Sequence, residues 1–454
     1  MNFRSINPYD GNTLYSIDAW SDMQLDRALQ RAADVFPVWR ARSWDERSAL
    51  LRAAAAVLRA RSDELSRLIT LEMGKLLKEA RSEIEKCALG CEHYAEHGAR
   101  YLADEIISTD ASKSLIAYQP IGTVLAIMPW NFPFWQVFRF AAPTLAAGNT
   151  AVLKHASNVP QCALAIEDVL RTAGFPDGVF QTLLIGADRV AAVIADPRVQ
   201  AVTLTGSEAA GRQVAAAAGA HLKKSVMELG GSDPFIVLED ADLELAVQHA
   251  VASRYLNAGQ SCIAAKRFVV METIADDFIA RFKAAVEALH PGDPFDDRTS
   301  LAPMARHDLR DELHKQVLDS LAHGAKAVSG CGPESGPGAF YEASILTDVQ
   351  PKMRAYHEEL FGPVAVVLRA HDEAAALRIA NDSRFGLGGC VWSTDVDRAE
   401  RLARQLACGC AFVNGMVKSD PRLPFGGVKD SGYGRELSQL GLREFVNAKT
   451  IWIR

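Results

Sequence analysis

Short apolar runs that alternate with helical segments constrain the fold of this 454-residue chain more than any other feature. A strand followed by a helix is typical of a parallel sheet with helices on both faces. The pattern begins near residue 124 and predicts strands over residues 124–128, 150–153, 179–184 and 201–205. It returns in the second half and predicts strands over residues 234–238, 267–271, 364–368, 389–392 and 410–414. We therefore predict an α/β protein with two doubly wound parallel sheets.

The segments that flank these sheets are predicted to form helices and a small β structure. Residues 1–20 are predicted to be an irregular arm, and residues 114–124 a projecting β-hairpin with its turn at 120–122. The apolar C-terminal run 450–453 is too short to be stable alone. We expect it to pair with the hairpin near Leu115 or with a partner chain. Helical periodicity predicts helices over residues 21–39, 45–61, 62–73 and 75–101.

Composition excludes several classes of protein. A chain of 454 residues, 49% hydrophobic and 23% charged, can bury a large core, and two or three domains are expected. Its formal charge of −7 and dispersed basic residues argue against a nucleic-acid partner. No apolar run approaches the roughly 20 residues of a membrane-spanning helix, and no signal-peptide pattern opens the chain. We therefore expect a cytoplasmic protein without membrane contact.

The eight cysteines are spread along the chain without the spacing of a disulfide framework or a zinc site, so we expect reduced thiols and assign no metal. Cys262 differs from the others in its position. It ends the turn 257–262, which lies between a predicted helix and the strand-like run 266–270. A lone cysteine is more often a small buried hydrophobe. A thiol on a turn next to Gly259 can meet a substrate, so Cys262 is the predicted nucleophile.

A second turn has the character of an anion-binding site. Residues 204–211 contain a strand end, the small residues Thr205, Gly206 and Ser207, and the start of a helix. Backbone N–H groups at such a helix start point toward an anion. The dinucleotide fingerprint G-x-G-x-x-G is absent from this region, and a plain strand-to-helix turn is an equally good interpretation.

Seven motifs in one order connect these features. They are the segments 129–133, Lys154, 205–207, 228–231, 259–262, 358–363 and 424–427. In order and spacing they resemble the aldehyde dehydrogenase superfamily over essentially the whole chain, and within it the branch that oxidises succinate semialdehyde. The resemblance implies an NAD(P)-binding domain from residues 1–110 and 125–228 and a catalytic domain from 229–420. It also implies a small oligomerisation domain from residues 111–124 and 421–454, in a homodimer or homotetramer.

The resemblance assigns roles to three catalytic residues. Cys262 adds to the aldehyde, and the Asn131 amide with the Cys262 backbone N–H stabilises the resulting alkoxide. Glu228 is the general base that deprotonates water or the thiol, and its presence argues against transfer of the acyl group to coenzyme A. From the residues alone, the alternative for Asn131 is a turn residue, and the alternative for Glu228 is a solvated loop charge. A cysteine hydrolase or a non-catalytic binding protein are the alternatives of other classes.

The resemblance also implies NAD or NADP as the cofactor. At the position of Ser157, NAD-preferring relatives carry a glutamate that binds the ribose 2′-hydroxyl. A serine removes the charge that would repel a 2′-phosphate, so NADP should be accepted. The implied cofactor-binding residues are Trp130, Lys154, Ser157, Thr205, Gly206, Ser207, Leu229, Glu359 and Phe361.

The implied substrate is a carboxylated semialdehyde. Arg139 and Ser419 match residues that bind the distal carboxylate in the semialdehyde-oxidising branch, and a guanidinium can hold a carboxylate through two parallel hydrogen bonds. The alternative for Arg139 is an interior salt bridge. Where many relatives carry a second arginine this chain has Leu256, with Arg254 nearby, and Glu436 aligns with a second carboxylate of variable role. Glutarate semialdehyde and uncharged aliphatic aldehydes are the alternative substrates.

Overall fold

The structure is a computed structural model that describes residues 2–454. None of the helices in these residues is long and apolar enough to cross a membrane. The helices are α1 Asp22–Arg40, α2 Trp44–Ala60, α3 Ser62–Met73, α4 Leu77–Tyr101, α5 Trp135–Ala146, α6 Pro160–Thr172, α7 Val190–Ala195, α8 Glu208–Ala220, α9 Leu243–Tyr255, α10 Ala275–Glu287, α11 His307–Ala322, α12 Arg354–His357, α13 Glu373–Asn381, α14 Val396–Ala403 and α15 Ser438–Arg443. The strands are β1 Asn2–Ile6, β2 Thr13–Asp18, β3 Glu105–Ile106, β4 Lys113–Pro120, β5 Thr123–Met128, β6 Thr150–His155, β7 Phe180–Thr182, β8 Val199–Thr205, β9 Lys224–Glu228, β10 Asp233–Val237, β11 Ala265–Met271, β12 Lys326–Ser329, β13 Ser344–Thr347, β14 Val364–Ala370, β15 Phe385–Gly386, β16 Gly388–Trp392, β17 Cys410–Val413, β18 Val428–Lys429, β19 Gly432–Tyr433 and β20 Val446–Ile453.

Two central sheets confirm the predicted α/β class. The first has the strand order β19-β9-β8-β5-β6-β7 and is parallel except for β19. The second has the order β12-β13-β14-β11-β10-β16-β17 and is parallel except for β12. Successive residues of one strand enter different cores: Val124 packs in one cluster and Leu125 in another, as do Phe235 and Ile236 in the second sheet. Each sheet is therefore covered on both faces, as the apolar strands predicted.

The first helices form where the sequence predicts them because their capping residues are explicit. Ser21 and Ser43 each accept a hydrogen bond from the third residue of the helix, and the side chains of Gln24 and Glu46 bond back to the serine backbone. Such reciprocal caps satisfy N–H groups that have no partner inside the helix. These caps fix where α1 and α2 begin.

The small third sheet corrects one prediction and confirms another. It is antiparallel with the order β20-β4-β3, and Ile451 pairs with Leu115, as predicted for the C-terminal strand. The predicted hairpin over residues 114–124 is wrong, because β4 and β5 belong to different sheets. The Asn149 side chain accepts hydrogen bonds from the backbone N–H groups of Ile121 and Gly122. This contact redirects the chain from the small sheet into the first large sheet.

The predicted irregular arm at residues 1–20 is also wrong. Strands β1 and β2 form an antiparallel hairpin in which Phe3 pairs with Ile17. Phe3 and Ser5 are both buried while Arg4 between them is exposed. Since one of the two inward residues is a serine, the alternation of apolar and polar residues that predicts a strand is hidden.

The topology brings the ends of four neighbouring strands to one edge of the first sheet. Strands β6, β5, β8 and β9 run parallel and adjacent in that order. Lys154 lies near the end of β6, and Thr205 and Glu228 end β8 and β9. Asn131 follows β5. Ligands of open parallel sheets bind at this edge, so the fold itself concentrates the predicted site residues.

Candidate active site

The turn that carries Cys262 has an uncommon backbone conformation. Helix α9 ends at Tyr255, and Asn257, Ala258 and Gly259 then have φ values of 55°, 51° and 73° in succession. A β-carbon on Gly259 would lie 2.3 Å from the Gly362 carbonyl oxygen, so this position requires glycine for space as well as for its φ. Residues other than glycine rarely adopt a left-handed backbone conformation, and they keep it only where the surrounding structure holds them.

Arg254 supplies much of that support. Its guanidinium is fully buried and donates hydrogen bonds to the carbonyl oxygens of Gly259 at 2.6 Å, Gly362 at 2.7 Å and Ala265 at 3.2 Å. All three acceptors are main-chain atoms. Arg254 therefore holds the turn in place and does not act as the second substrate-binding arginine of related sequences.

Lys266 holds the next residues of the same turn. Its ammonium donates to the carbonyl oxygens of Ser261 at 3.0 Å and Cys262 at 2.9 Å. It also forms an ion pair with Glu359 at 3.3 Å. The loop that presents the thiol is thus connected to the predicted cofactor-binding carboxylate through one buried cation.

Asn131 lies against the thiol turn, as its predicted role requires. Its side-chain N–H donates to the Gln260 carbonyl at 3.1 Å, and its own carbonyl accepts from the Asn257 side chain at 2.9 Å. An amide nitrogen has two hydrogens, so one donor stays available after the bond to Gln260. The Asn131 side chain therefore lies against Gln260, two residues before Cys262, and has one N–H that can donate to an oxyanion.

The thiol of Cys262 is partly buried, and its environment favours the protonated form. Burial raises its pKa to about 12, while Arg139 acts in the opposite direction and Glu359 adds to the rise. The thiol is consequently neutral near pH 7. Its attack on a carbonyl carbon then needs a base that takes the proton.

One cavity of about 570 Å³ brings three predicted residues together. Cys262 of the turn, Arg139 of α5 and Ser419 of the loop after β17 all line it. Apolar and aromatic side chains make up much of the remaining wall, including Phe132, Trp135, Ile263, Met416, Val417 and Phe425. A mostly apolar pocket with a few polar groups is the usual form of a small-molecule site.

Arg139 combines the two roles considered for it. It lines the cavity and at the same time forms a buried ion pair with Glu436. It also donates to the Thr205 hydroxyl at 3.3 Å and lies over the Phe425 ring at 4.7 Å. The interior salt bridge is therefore present, and the positive charge is partly neutralised before any substrate binds.

Glu228 is buried at the end of β9, next to the cavity wall. A β-carbon on Gly426, the residue after Phe425, would lie 2.6 Å from a Glu228 carboxylate oxygen. Burial raises the pKa of Glu228 well above its usual value, and the nearby charge of Glu436 raises it further. Neither carboxylate oxygen has a hydrogen-bond partner within residues 2–454. A raised pKa makes the Glu228 carboxylate a stronger base than an ordinary glutamate, as a general base requires.

The predicted cofactor residues fall into two groups. Trp130 and Phe361 contact each other edge to face at 5.9 Å. Glu359 lies close to both Gly230 and Gly231: its carboxylate accepts from the Gly231 N–H at 3.1 Å, and a β-carbon on Gly230 would lie 2.5 Å from it. These residues form the side of the site nearer the thiol.

The second group lies at the strand ends of the first sheet. Ser207 caps α8 and accepts from the Ala210 N–H, and Gly206 precedes it. Burial lowers the pKa of Lys154 at the end of β6. Leu229 packs against α8 at Gly211. Ser157 lies apart from the thiol cavity and lines a second one of about 430 Å³ with Asn7 and Arg306, among others.

Sequence reasoning missed Lys86, which lines the thiol cavity from α4. Its side chain donates to the Ser419 hydroxyl at 2.7 Å and lies over the Trp135 ring at 4.5 Å. A signal was present: Glu79, Glu83 and Lys86 recur at helical spacing and so share one face of α4. All three line the cavity.

Fold and site together define a two-sheet α/β enzyme with a free cysteine in its cavity. The model described as the aldehyde dehydrogenase family matches residues 1–451. This chain belongs to the aldehyde dehydrogenase family.

Three relatives illustrate how similar the chain is to known members. A protein of Synechocystis sp. named probable succinate-semialdehyde dehydrogenase (NADP+) is 51% identical over 453 residues, which cover 100% of both chains. A succinate semialdehyde dehydrogenase (NAD(P)+) of Escherichia coli is 51% identical over 449 residues, 99% of this chain and 97% of the relative. The crystal structure of succinic semialdehyde dehydrogenase from Streptococcus pyogenes in complex with NADP+ has a TM-score of 0.98 and 38% identity, and 99% of each chain is covered.

Proposed function

We propose that this protein oxidises succinate semialdehyde to succinate with NADP+ or NAD+. The observation that carries the proposal is the single cavity in which the Cys262 thiol, the Arg139 guanidinium and the Ser419 hydroxyl meet. The names of the Synechocystis and Escherichia coli relatives, each about half identical over nearly the full length, support it. Glutarate semialdehyde and uncharged aliphatic aldehydes stay as alternative substrates.

The chemistry begins at Cys262. The thiol loses its proton and the sulfur forms a bond to the aldehyde carbon, which gives a tetrahedral thiohemiacetal. The Asn131 side chain and the Cys262 backbone N–H are the donors placed to stabilise its alkoxide. Loss of hydride leaves a thioester on Cys262. Water then adds to the thioester carbon, the C–S bond breaks, and the acid is released with the thiol restored.

Glu228 is the group that we assign to the proton transfers. It is buried close to the cavity wall, and its raised pKa makes it able to take a proton from the thiol or from the attacking water. The charged groups that act on it are Glu436, Arg139, Arg435 and Glu444. Two carboxylates near one guanidinium make the protonation states of this cluster interdependent.

The residues at the strand ends fit a dinucleotide. Gly206 and the Ser207 cap start α8 at the edge where parallel strands end, so backbone N–H groups face that edge. The Glu359 carboxylate lies against Gly230, where any side chain would collide with it. This position suits a carboxylate that binds ribose hydroxyls. When bound, the nicotinamide cofactor accepts the hydride of the aldehyde carbon. Lys154 and Ser157 are the residues that we assign to the adenosine side.

The substrate test compares succinate semialdehyde, glutarate semialdehyde and butyraldehyde by kcat/KM in the wild type and in Arg139→Ala. We expect the wild type to favour the carboxylated substrates, and the variant to lose about 2–4 kcal/mol of that preference. Arg139→Lys is the matched control because it keeps the charge opposite Glu436. Equal oxidation of butyraldehyde by the wild type would reduce the proposal to a general aldehyde dehydrogenase.

The cofactor test changes Ser157. A Ser157→Glu variant is expected to lose about 1–3 kcal/mol in kcat/KM for NADP+ relative to NAD+, because a carboxylate would repel the 2′-phosphate. The neutral variant Ser157→Gln has nearly the same size and controls for steric effects. Parallel losses for both cofactors in Ser157→Glu would show that this position does not distinguish them.

The assembly and the domain division stay proposals. A homodimer or homotetramer would use the three-stranded sheet, whose outer strand β20 exposes Trp452 and Ile453 at about half of their surface. We propose the division into a cofactor-binding domain, a catalytic domain and an oligomerisation domain from the three main sheets, while β19 within 421–454 pairs with β9 of the first sheet and β3 within 1–110 belongs to the three-stranded sheet. A cytoplasmic location is likewise inferred from the sequence alone.

A further inference from the structure

We propose that the Lys86 ammonium and the Ser419 hydroxyl together bind the distal carboxylate of the semialdehyde, so that Lys86 determines substrate specificity. This inference rests on the proposed function and deepens it. Arg139, which is already paired with Glu436, contributes its positive charge to the cavity, and Lys86 on a different helix adds a second contact with the carboxylate.

Hydrogen bonding around Ser419 leaves donors without acceptors. The Ser419 oxygen accepts from the Lys86 ammonium at 2.7 Å and from the Trp135 indole N–H at 3.1 Å. A hydroxyl oxygen has two lone pairs, so both are used and its own O–H must donate to another group. The Lys86 ammonium has three N–H donors, of which Ser419 takes one. Donors that converge on one cavity wall suit an anion.

The carboxylates nearest to Lys86 are engaged elsewhere. Glu83, one helical turn away on α4, accepts from the backbone N–H groups of Phe134 at 2.9 Å and Trp135 at 3.0 Å and forms an ion pair with Lys75. Asp420, beside Ser419, is held at both carboxylate oxygens by the Arg422 side chain. No carboxylate between residues 2 and 454 lies within ion-pair distance of Lys86.

Lys86 therefore differs from the other cations near the thiol. Arg139 is paired with Glu436, and Lys75 with Glu83. Lys266 is paired with Glu359, and Arg254 is bonded to main-chain carbonyls. Lys86 is half-buried, whereas Lys78 and Lys418, which also line the cavity without a carboxylate partner, are exposed to water. A cation that is partly removed from water without a counter-charge is unfavourable, and an anionic ligand reduces that penalty. Among these cations, Lys86 gains most from a substrate carboxylate.

The charge state of Lys86 gives the inference a second readout. Burial lowers its pKa to about 8, and Arg139 on α5 lowers it further, whereas Cys87 and Glu83 on α4 and Asp420 act to raise it. The ammonium is mostly charged at pH 7 and loses its proton as the pH passes about 8. Binding of a carboxylated substrate should weaken over that range, while binding of an uncharged aldehyde has no such dependence.

The test measures kcat/KM for succinate semialdehyde and for butyraldehyde in the wild type, Lys86→Met and Lys86→Arg, with NADP+ and between pH 7 and about pH 9.5. We expect Lys86→Met to lose roughly 10- to 100-fold more for succinate semialdehyde than for butyraldehyde, as for a hydrogen bond to a charged group. Lys86→Arg should keep most of the preference. It should also abolish the decline of that preference with pH, because a guanidinium stays charged.

Three outcomes are decisive. Equal losses for both substrates in Lys86→Met would make Lys86 structural and overturn the inference. So would a wild-type preference that is constant over the whole pH range, a result that needs no variant to fold. A wild type without any preference for the carboxylated substrate contradicts the proposed function itself, which separates the two failures.

Discussion

A Cys262→Ala variant is expected to lose aldehyde oxidation by on the order of 10⁴-fold or more in kcat, as when the nucleophile of a covalent mechanism is removed. Without the sulfur no thiohemiacetal forms, so no carbon can release hydride. Formation of the reduced cofactor, followed by its absorbance, measures the loss. Binding of NADP+, measured by calorimetry, should be retained because Cys262 lies on the thiol turn and not at the strand ends of the first sheet.

Cys408→Ala is the matched control. Cys408 is partly buried, as Cys262 is, but lines a different and much smaller pocket near Asp233. Its replacement should leave kcat within about twofold of the wild type, because substitutions far from a functional site usually have small effects. Substantial activity in Cys262→Ala, or an equal loss in Cys408→Ala, would show that the assigned nucleophile is wrong.

A Glu228→Gln variant is expected to lose about 10²- to 10⁴-fold in kcat, the usual contribution of a general base. If Glu228 serves the hydrolysis step, the thioester still forms, and rapid mixing should show a burst of up to one reduced cofactor per active site before slow turnover. If Glu228 mainly deprotonates the thiol, the burst disappears too. Unchanged turnover would remove Glu228 from the mechanism.

The pH dependence of kcat tests whether the charges around Glu228 set the pKa of its carboxyl group. Its pKa is raised by burial and by Glu436, so the fraction that can accept a proton grows as the pH increases, and kcat should rise with it. In Glu436→Gln the largest repulsive charge near Glu228 is gone, while Arg139 and Arg435 still lower its pKa. The rise of kcat should then move to lower pH. A shift to higher pH would contradict the assigned interaction.

The sequence alone predicts the elements whose own residues carry a local signal. Strands buried on both faces, such as β10 and β14, are continuous apolar runs, and α1 and α2 begin at complete capping boxes. The sequence does not predict a structure that depends on a contact with a residue far away along the chain. The hairpin at 114–124 was expected because nothing local reveals that Asn149 turns the chain at Gly122. The strand β1 was missed because its inward Ser5 is polar.

The same division holds for the site. The positions of Cys262 and Asn131 follow from motifs with a fixed place on a turn and after a strand, and the position of Arg139 follows from the family resemblance. The partners of these residues do not, since Glu436 reaches Arg139 from nearly three hundred positions further along the chain. Lys86 is a similar case. Glu79, Glu83 and Lys86 share one face of α4, and only the packing of α4 against α5 and the loop at Ser419 makes that face a wall of the cavity.

Arg254 has a consequence for attempts to redesign this enzyme. The Arg254 guanidinium donates to the backbone carbonyls of both Gly259 and Gly362. The turn that carries the Cys262 thiol and the segment that begins with Glu359 are therefore held by the same side chain. Substitutions that move the backbone at Gly362 are expected to shift the turn at Gly259, and substitutions that move the backbone at Gly259 are expected to shift Gly362. Improvements selected separately in the two segments should therefore fail to add when combined, and libraries that vary both segments at once are the better starting point.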